Sequence, residues 1–239
     1  MSARPRPRRR FRDAGQTRER VLAAALVEFS SSGYRGGTLG AIAARAGVSQ
    51  SGLLRHFPNK ELLLAAVIER RNDEHRAEFL DAVQADPDLG FLTGLVGLMR
   101  RAARELELTR LNAVVMSEAT STQHPAHDWA VQRYGTVNAL VTNALHNAQQ
   151  QAVLRADFDP EEVAWTLLAV MDGLQLRHVL SSHSMRIEQA FASLAAQILD
   201  DLAADNDAAR RKIAAWRARQ VAASPFAGAN ETPQAPSTT

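Results

Sequence analysis

The sequence predicts an all-α fold with two helical domains, and three observations support this. Apolar residues recur at intervals of three and four along almost the whole of the 239-residue chain, which is typical of amphipathic helices. No segment alternates apolar and polar residues as a half-buried strand does. The composition, with 46% hydrophobic and 23% charged residues, is that of an ordinary globular protein, and the length suffices for one sizeable core or two small ones.

Charge divides the chain into two parts of opposite sign. Residues 1–60 contain 12 Lys and Arg against 3 Asp and Glu, a net charge of +9. Residues 61–239 contain 16 against 23, a net charge of −7, so the total of +2 hides the asymmetry. A strongly basic N-terminal quarter on an acidic remainder is typical of a DNA-facing domain attached to a body that faces away from DNA.

The first 14 residues carry a large share of this positive charge. They include an arginine-rich run with prolines and without apolar periodicity, so we predict that residues 1–14 form a disordered basic arm. In some DNA-binding proteins such an arm contacts phosphates or the minor groove. A solvated tail without DNA contacts explains the same charge run equally well, and the sequence alone leaves both interpretations open.

A helix-turn-helix is predicted between Thr38 and Lys60. Thr38 is a suitable N-cap for a short helix whose small apolar residues let a second helix cross closely. Gly47 ends this helix, because the residue just past a helix end often adopts the left-handed conformation, which glycine reaches without a steric clash. Ser49 then caps a second helix over residues 50–57. This tight spacing suits a motif that places its second helix in the major groove of DNA.

The N-terminal residues of that second helix are predicted to meet base edges. Gln50 pairs with adenine through its side-chain amide, Ser51 donates or accepts a hydrogen bond, and Gly52 lets the backbone approach closely. Hydroxyls, cations and one imidazole nearby are predicted to contact phosphates. These phosphate-contacting candidates are Thr38, Ser49, Arg55, His56 and Lys60.

The run from Arg18 to Arg70 resembles the DNA-binding domain of TetR-family transcriptional regulators. The resemblance rests on the segments VLAAALVEF, IAARAGVS and HFPNKELL, and on the GY pair that precedes Thr38. It implies a DNA-binding domain at residues 15–62 and a helical effector-binding and dimerisation domain at residues 63–205. Residues 206–239 lose the apolar period and are predicted to be a largely disordered C-terminal tail, with a frayed helical extension through the cations from Arg210 to Arg219 left open as an alternative.

One position departs from the common pattern of this family. Leu54 stands where many members have a tyrosine, and a leucine side chain cannot donate a hydrogen bond to a phosphate. Arg55, the next residue, is expected to make that phosphate contact instead.

The resemblance also implies an effector pocket and a homodimer. The pocket candidates are bulky aromatic, Met and His residues, each of which a plain helical core explains at least as well. They are Met99, Met116, Trp129, Tyr134, Trp165, Met171 and His178. The last two helices, predicted near residues 163–180 and 186–202, are implied to form a four-helix bundle with the same pair of a second subunit. The predicted interface residues are Val163, Leu167, Val170, Leu174, Phe191, Leu194 and Ile198.

These features predict a dimeric, sequence-specific transcriptional regulator that binds an operator in double-stranded DNA. In this hypothesis the protein is a repressor that a small-molecule effector releases from its operator. The alternative is a helical small-molecule carrier or enzyme with a non-functional helix-turn-helix. We predict no enzymatic activity and no cofactor, because no nucleophile, activated base or metal-ligand constellation is evident in the sequence.

No metal site and no membrane association are predicted either. His124, His127 and Asp128 have a spacing that would suit ligands on one helical face, but Pro125 separates the histidines and no second cluster is apparent. The chain contains no cysteine, no uninterrupted apolar stretch of about 18 residues, and no hydrophobic segment directly after its basic N-terminus. We therefore expect a cytoplasmic, nucleoid-associated protein.

Overall fold

The computed structural model describes residues 7–181 and 185–222 and, within them, all side chains except those of residues 7–14, 72, 74 and 75. The described residues form ten α-helices and no named strand, which confirms the predicted all-α fold. The helices are α1 (Pro7–Gly36), α2 (Leu39–Ala46), α3 (Gln50–His56), α4 (Lys60–Ala85), α5 (Gly90–Arg104), α6 (Leu106–Glu118), α7 (His127–Gln150), α8 (Pro160–Leu180), α9 (Ile187–Leu202) and α10 (Asp207–Ala222). None of these described helices is long and apolar enough to cross a membrane.

Two compact units divide the described residues. The first contains residues 7–78, 101–137 and 175–181, and the second contains residues 79–100, 138–174 and 185–222. Neither unit ends at the boundary that the sequence predicted between a DNA-binding and an effector-binding domain, after residue 62. In the first unit, the N-terminal helices are instead part of a larger body that includes α6 and the beginning of α7.

The core of the first unit explains why its N-terminal helices do not stand alone. With only 8 and 7 residues, α2 and α3 are too short to cover the apolar faces of both α1 and α4. Residues of α6 and α7 complete the same core. Buried members of this core include Val21, Leu22 and Phe29 of α1, Ile42 of α2, Leu53 of α3, Leu63, Leu64 and Ile68 of α4, Leu111 and Val115 of α6, and Ala130 of α7.

Helix α1 begins earlier than predicted. The helix begins at Pro7, so residues 7–14 of the predicted disordered arm are helical and that part of the prediction was wrong. Proline is well tolerated in the first turn of a helix, and arginine is a good helix former even where no apolar period is present. The helix is interrupted at Gly33, which has φ 69° and ψ 170°. Residues 1–6 lie outside the described residues.

The predicted C-terminal tail is also partly ordered, because it contains α10. Ala209, Ile213 and Trp216 lie on one face of this helix and are buried in the second unit, where α10 packs against α9. The indole Nε1 of the wholly buried Trp216 donates a hydrogen bond to Thr93 Oγ1 of α5 at 3.0 Å. The prediction of disorder was therefore wrong up to Ala222, and the residues after it lie outside the described part of the chain.

The cations of α10 pair with carboxylates of the second unit. The ion pairs are Lys212 with Asp88, Arg210 with Asp205, Arg217 with Asp200 and Arg219 with Asp86. Most of these side chains are substantially exposed, so each pair contributes little to stability. The pairs nevertheless neutralise most of the positive charge of α10.

Candidate nucleic-acid interface

Helix α2 and the turn after it are held by local hydrogen bonds. Thr38 Oγ1 accepts a hydrogen bond from the backbone N–H of Ala41 at 3.1 Å, which satisfies one of the free donors at the helix start. Gly47 ends the helix in the left-handed conformation, with φ 66° and ψ 38°. The next backbone N–H, that of Val48, donates to Ala43 O at 3.0 Å and closes the turn. These predicted end signals are confirmed.

Helix α3 is fixed by a cap at one end and by its buried face. Ser49 Oγ accepts a hydrogen bond from the backbone N–H of Gly52 at 3.0 Å. Leu53 is wholly buried and Phe57, just past the helix, is almost so, which sets the rotation of α3 about its own axis. The opposite face is therefore exposed over one and a half turns. Its exposed residues are Gln50, Ser51, Leu54 and Arg55.

Two cations near this motif were not singled out by the sequence analysis. The guanidinium of Arg18 lies 5.3 Å from the centre of the Phe57 ring, at the C-terminal end of α3. Arg45 of α2 lies 3.7 Å from Glu28 Oε2 of α1 and remains half exposed. Both belong to the basic N-terminal quarter. The sequence showed the excess of arginine there, but not that Arg18 lies over Phe57 or that Arg45 pairs with Glu28.

Lys60, predicted to bind phosphate, lies against the end of α1. Its ammonium is 4.6 Å from the centre of the Tyr34 ring and donates a hydrogen bond to Arg35 O at 3.4 Å. The start of α4 is capped beside it, because Asn59 Oδ1 accepts from the backbone N–H of Leu62 at 2.8 Å. The positive charge of Lys60 is thus held at one place on the surface of the first unit, while the side chain remains partly exposed.

A second hydrogen bond joins the same two helices. The Tyr34 hydroxyl donates to Glu61 Oε1 at 2.7 Å, and the two residues are 27 positions apart in the sequence. Burial raises the pKa of Tyr34, and the bond to Glu61 raises it further. Partial burial acts to raise the pKa of Glu61, but the hydrogen bond from Tyr34, the backbone amide and the charges of His124 and Lys60 outweigh it, so the pKa falls below the ordinary 4.5.

Replacing the Tyr34 hydroxyl tests this link between α1 and α4. Because the pKa of Glu61 is lowered in the folded state, its contribution is present above pH 4.5 and is lost as the pH falls through the lowered value. We expect Tyr34→Phe to reduce the free energy of unfolding by about 1 kcal/mol near neutral pH, and by less in acid. Urea unfolding at the two pH values measures this. An equal loss in a Glu61→Ala background, which has no side-chain acceptor, would contradict the assignment.

Comparison with known proteins identifies the family. A family model described as bacterial regulatory proteins, tetR family, matches residues 21–67, which include all of α2 and α3. A second model, described as the C-terminal part of BetI-type transcriptional repressors, matches residues 95–205. The chain belongs to the TetR family of transcriptional regulators. Helix α10 follows the second matched segment and is a feature of this TetR-family chain outside both models.

Individual relatives and solved structures agree with this assignment. The regulator TtgR of Pseudomonas putida is 28% identical over 185 residues, which cover 74% of this chain and 87% of TtgR. The regulator RutR of Escherichia coli is 42% identical over 62 residues, or 26% of this chain and 29% of RutR. A structure of SmeT with triclosan has a TM-score of 0.64 at 23% identity and covers 80% of this chain and 93% of SmeT. At that identity it shows a shared fold.

The residues predicted for an effector pocket of this TetR-family protein lie in different environments. Met116 and Trp129 pack against the core of the first unit, where Trp129 Nε1 donates to Glu69 Oε2 at 3.3 Å. Met99, Met171 and His178 are buried. Tyr134 and Trp165 are 45% and 64% exposed, so within the chain neither lines an enclosed cavity. The sequence pattern could not separate the buried residues from the exposed ones, since each of the seven fits the helical period of its own segment.

A cavity in the second unit lies elsewhere. It has a volume of about 390 Å³ and is lined by Pro87, Asp88, Asn147, Gln151 and Lys212. None of the predicted effector residues belongs to this lining. The pocket assignment therefore stays a prediction.

The residues predicted for the dimer interface fall into two groups, buried and half-buried. Leu167 of α8 and Phe191 of α9 are wholly buried within the chain, so they are core residues and the prediction was wrong for both. The other five, Val163, Val170, Leu174, Leu194 and Ile198, are half-buried. Helix α8 is apolar on two faces, and the sequence did not show which face the chain's own core would use.

The histidines weighed as metal ligands have structural partners. His124 Nδ1 accepts a hydrogen bond from the backbone N–H of Ala126 at 3.2 Å. His127 Nδ1 lies 2.8 Å from Ala119 O, and a ring N–H donates across that distance in the appropriate tautomer. Among the described residues, no group of three or more acidic, His or Cys side chains is arranged to hold a metal ion.

Proposed function

We propose that this TetR-family protein is a dimeric repressor that binds a specific operator in double-stranded DNA and is released by a small-molecule effector. The observation that carries the proposal is the exposed face of α3, with Gln50, Ser51 and Arg55, on a helix that the wholly buried Leu53 anchors to the core. A helix held in this way presents its side chains in one orientation, as reading base edges requires. The net charge of +9 on residues 1–60 supplies attraction to phosphates.

Base reading by Gln50 is the first test of this proposal. Gln50 is exposed at the first position of α3, and its amide lies beside Gly40, which has no side chain to cover it. We expect Gln50→Ala to relax base preference at one position per half-site, at a cost of about 1 to 3 kcal/mol for the preferred base. Competition binding with single-base variants of a selected operator measures this change.

Lys60→Ala is the matched control, because a phosphate contact carries no sequence information. It should weaken binding to all duplexes alike and reduce the steepness of the salt dependence. Unchanged relative affinities in Gln50→Ala would show that Gln50 does not read a base. The alternative function, a helical carrier or enzyme, predicts no salt-dependent binding to any duplex.

The dimer is supported by an apolar face that α8 leaves exposed. Trp165 is 64% exposed. Ala169, Leu176 and Leu180 are also exposed and lie on the same face, because the successive spacings of four, seven and four residues correspond to whole helical turns. A large tryptophan and two leucines on one exposed helical face are typical of a surface that a partner covers. We propose that these residues, rather than Leu167 and Phe191, form the centre of a two-fold interface.

The proposed release by an effector is supported by the matched family model and by a protein of similar structure. The matched C-terminal model describes transcriptional repressors, and SmeT, the repressor of a Stenotrophomonas maltophilia efflux pump, is known in complex with triclosan. Release of this protein by an effector requires that the effector bind the operator-bound dimer more weakly than the free dimer. The two affinities must differ by the same factor by which the effector lowers operator affinity.

A further inference from the structure

Leu54 is the one large apolar residue on the exposed face of α3. It is 36% exposed, whereas the preceding residue, Leu53, is wholly buried. Because Leu53 fixes the rotation of the helix, Leu54 cannot turn into the core without displacing it. The residues around Leu54 on the same face are Gln50 and Ser51, one turn earlier, and Arg55. Leu54 therefore contacts the same partner as the other residues on the exposed face of α3.

The chemistry of a leucine side chain restricts what it can recognise there. It has no hydrogen-bond donor or acceptor, so it cannot bind a phosphate oxygen or a polar base edge. The guanidinium of Arg55 lies beside Gly52, since a Cβ on Gly52 would be 3.9 Å from Arg55 Nη2, and it provides the cationic contact on this face. The apolar group that duplex DNA presents in the major groove is the 5-methyl of thymine.

Building on the proposed operator binding, we propose that Leu54 is a specificity-determining residue that contacts the 5-methyl group of one thymine in each operator half-site. Gln50 and Leu54 are four residues apart and so lie on one face, with an axial separation of about 6 Å. Consecutive bases of one strand are about 3.4 Å apart along the duplex axis. The thymine read by Leu54 therefore lies within about two steps of the base read by Gln50.

The test removes single methyl groups from the DNA. The probe is a duplex that the full-length protein selects from a random-sequence pool, in which each thymine is replaced in turn by deoxyuridine. This exchange deletes the 5-methyl group and leaves every base-pairing hydrogen bond in place. We expect one position per half-site where deoxyuridine weakens binding by about fourfold, the value expected for withdrawing one buried methyl group. Other thymines should tolerate the exchange.

Leu54→Ala and Ser51→Ala then separate recognition from general weakening. In Leu54→Ala the deoxyuridine and thymine duplexes should bind equally at that position, because the side chain that senses the methyl group is gone. Ser51→Ala changes the same face without removing Leu54, so it should keep the fourfold difference. Leu54 is partly exposed, so its truncation should leave the thermal unfolding midpoint nearly unchanged, and this confirms that the variant is folded.

Each possible outcome decides between the two proposals. If the protein selects a duplex but no thymine is sensitive, or if the sensitivity persists in Leu54→Ala, the role of Leu54 is wrong and operator binding stands. If no duplex is enriched from the pool, the proposed operator binding fails, and the role of Leu54 fails with it.

Discussion

Trp165→Glu is expected to convert the protein from dimers to monomers and to reduce operator affinity by about 100-fold or more. Trp165 is 64% exposed on α8, at one end of the apolar face that we propose as the centre of the interface. A glutamate there would place an unpaired charge from each subunit in the apolar interface, where water is excluded. Operator affinity falls because a monomer holds one half-site and loses the effective concentration that tethers the second recognition helix.

Light scattering and duplex binding measured on the same samples test this expectation. Val131→Glu is the matched control, since Val131 is also an exposed apolar residue, on α7, and is not part of the proposed face. It should remain dimeric and bind the operator normally. A Trp165→Glu protein that stays dimeric, or a Val131→Glu protein that dissociates, would move the interface away from α8.

Trp216→Ala is expected to reduce the free energy of unfolding by about 3 to 5 kcal/mol. Trp216 is wholly buried in the second unit, and the apolar stripe that it shares with Ile213 and Ala209 attaches α10 to that unit. This loss is a large part of the stability of an ordinary domain, so much of the protein should unfold at moderate temperature. Because dimerisation itself stabilises the folded chain, unfolding must be measured at one fixed protein concentration.

Trp216→Phe separates packing from hydrogen bonding at this site. The phenyl ring keeps most of the buried volume but cannot donate to Thr93 Oγ1, so we expect a loss smaller than that of Trp216→Ala, with about 1 kcal/mol of it from the hydrogen bond. Lys212→Ala, which breaks a surface ion pair of α10, should cost less still. If Trp216→Ala cost no more than Lys212→Ala, α10 would not be part of the core.

The helix-turn-helix was predictable because its signals are local. The caps formed by Thr38 and Ser49 reach only three residues along the chain, and the left-handed turn at Gly47 depends on that residue alone. The alternation of buried and exposed positions in α3 also follows from helical spacing. The sequence therefore located the candidate DNA-reading residues, although their contacts with DNA stay predictions.

Contacts between distant segments could not be predicted from such local signals. Tyr34 and Glu61 are 27 positions apart, and Thr93 and Trp216 are 123 apart, so neither pair leaves a periodic pattern in the sequence. The disorder predicted for α10 followed from the loss of the apolar period, because the buried stripe of this helix has only three apolar residues. The carboxylate partners of the cations of α10 are Asp86 and Asp88 before α5, Asp200 of α9 and Asp205 just after α9, and only the folded chain shows these pairings.

The sequence by itself determined the all-α class, the family, the helix-turn-helix and the opposite charges of residues 1–60 and 61–239, because these depend on local spacing and composition. Only the tertiary structure decided which apolar face of α8 is core and which is free. Leu167 and Trp165 are two positions apart and are both apolar, yet one is wholly buried and the other largely exposed. That difference depends on the neighbours packed against each face, and hydrophobicity along the chain does not encode it.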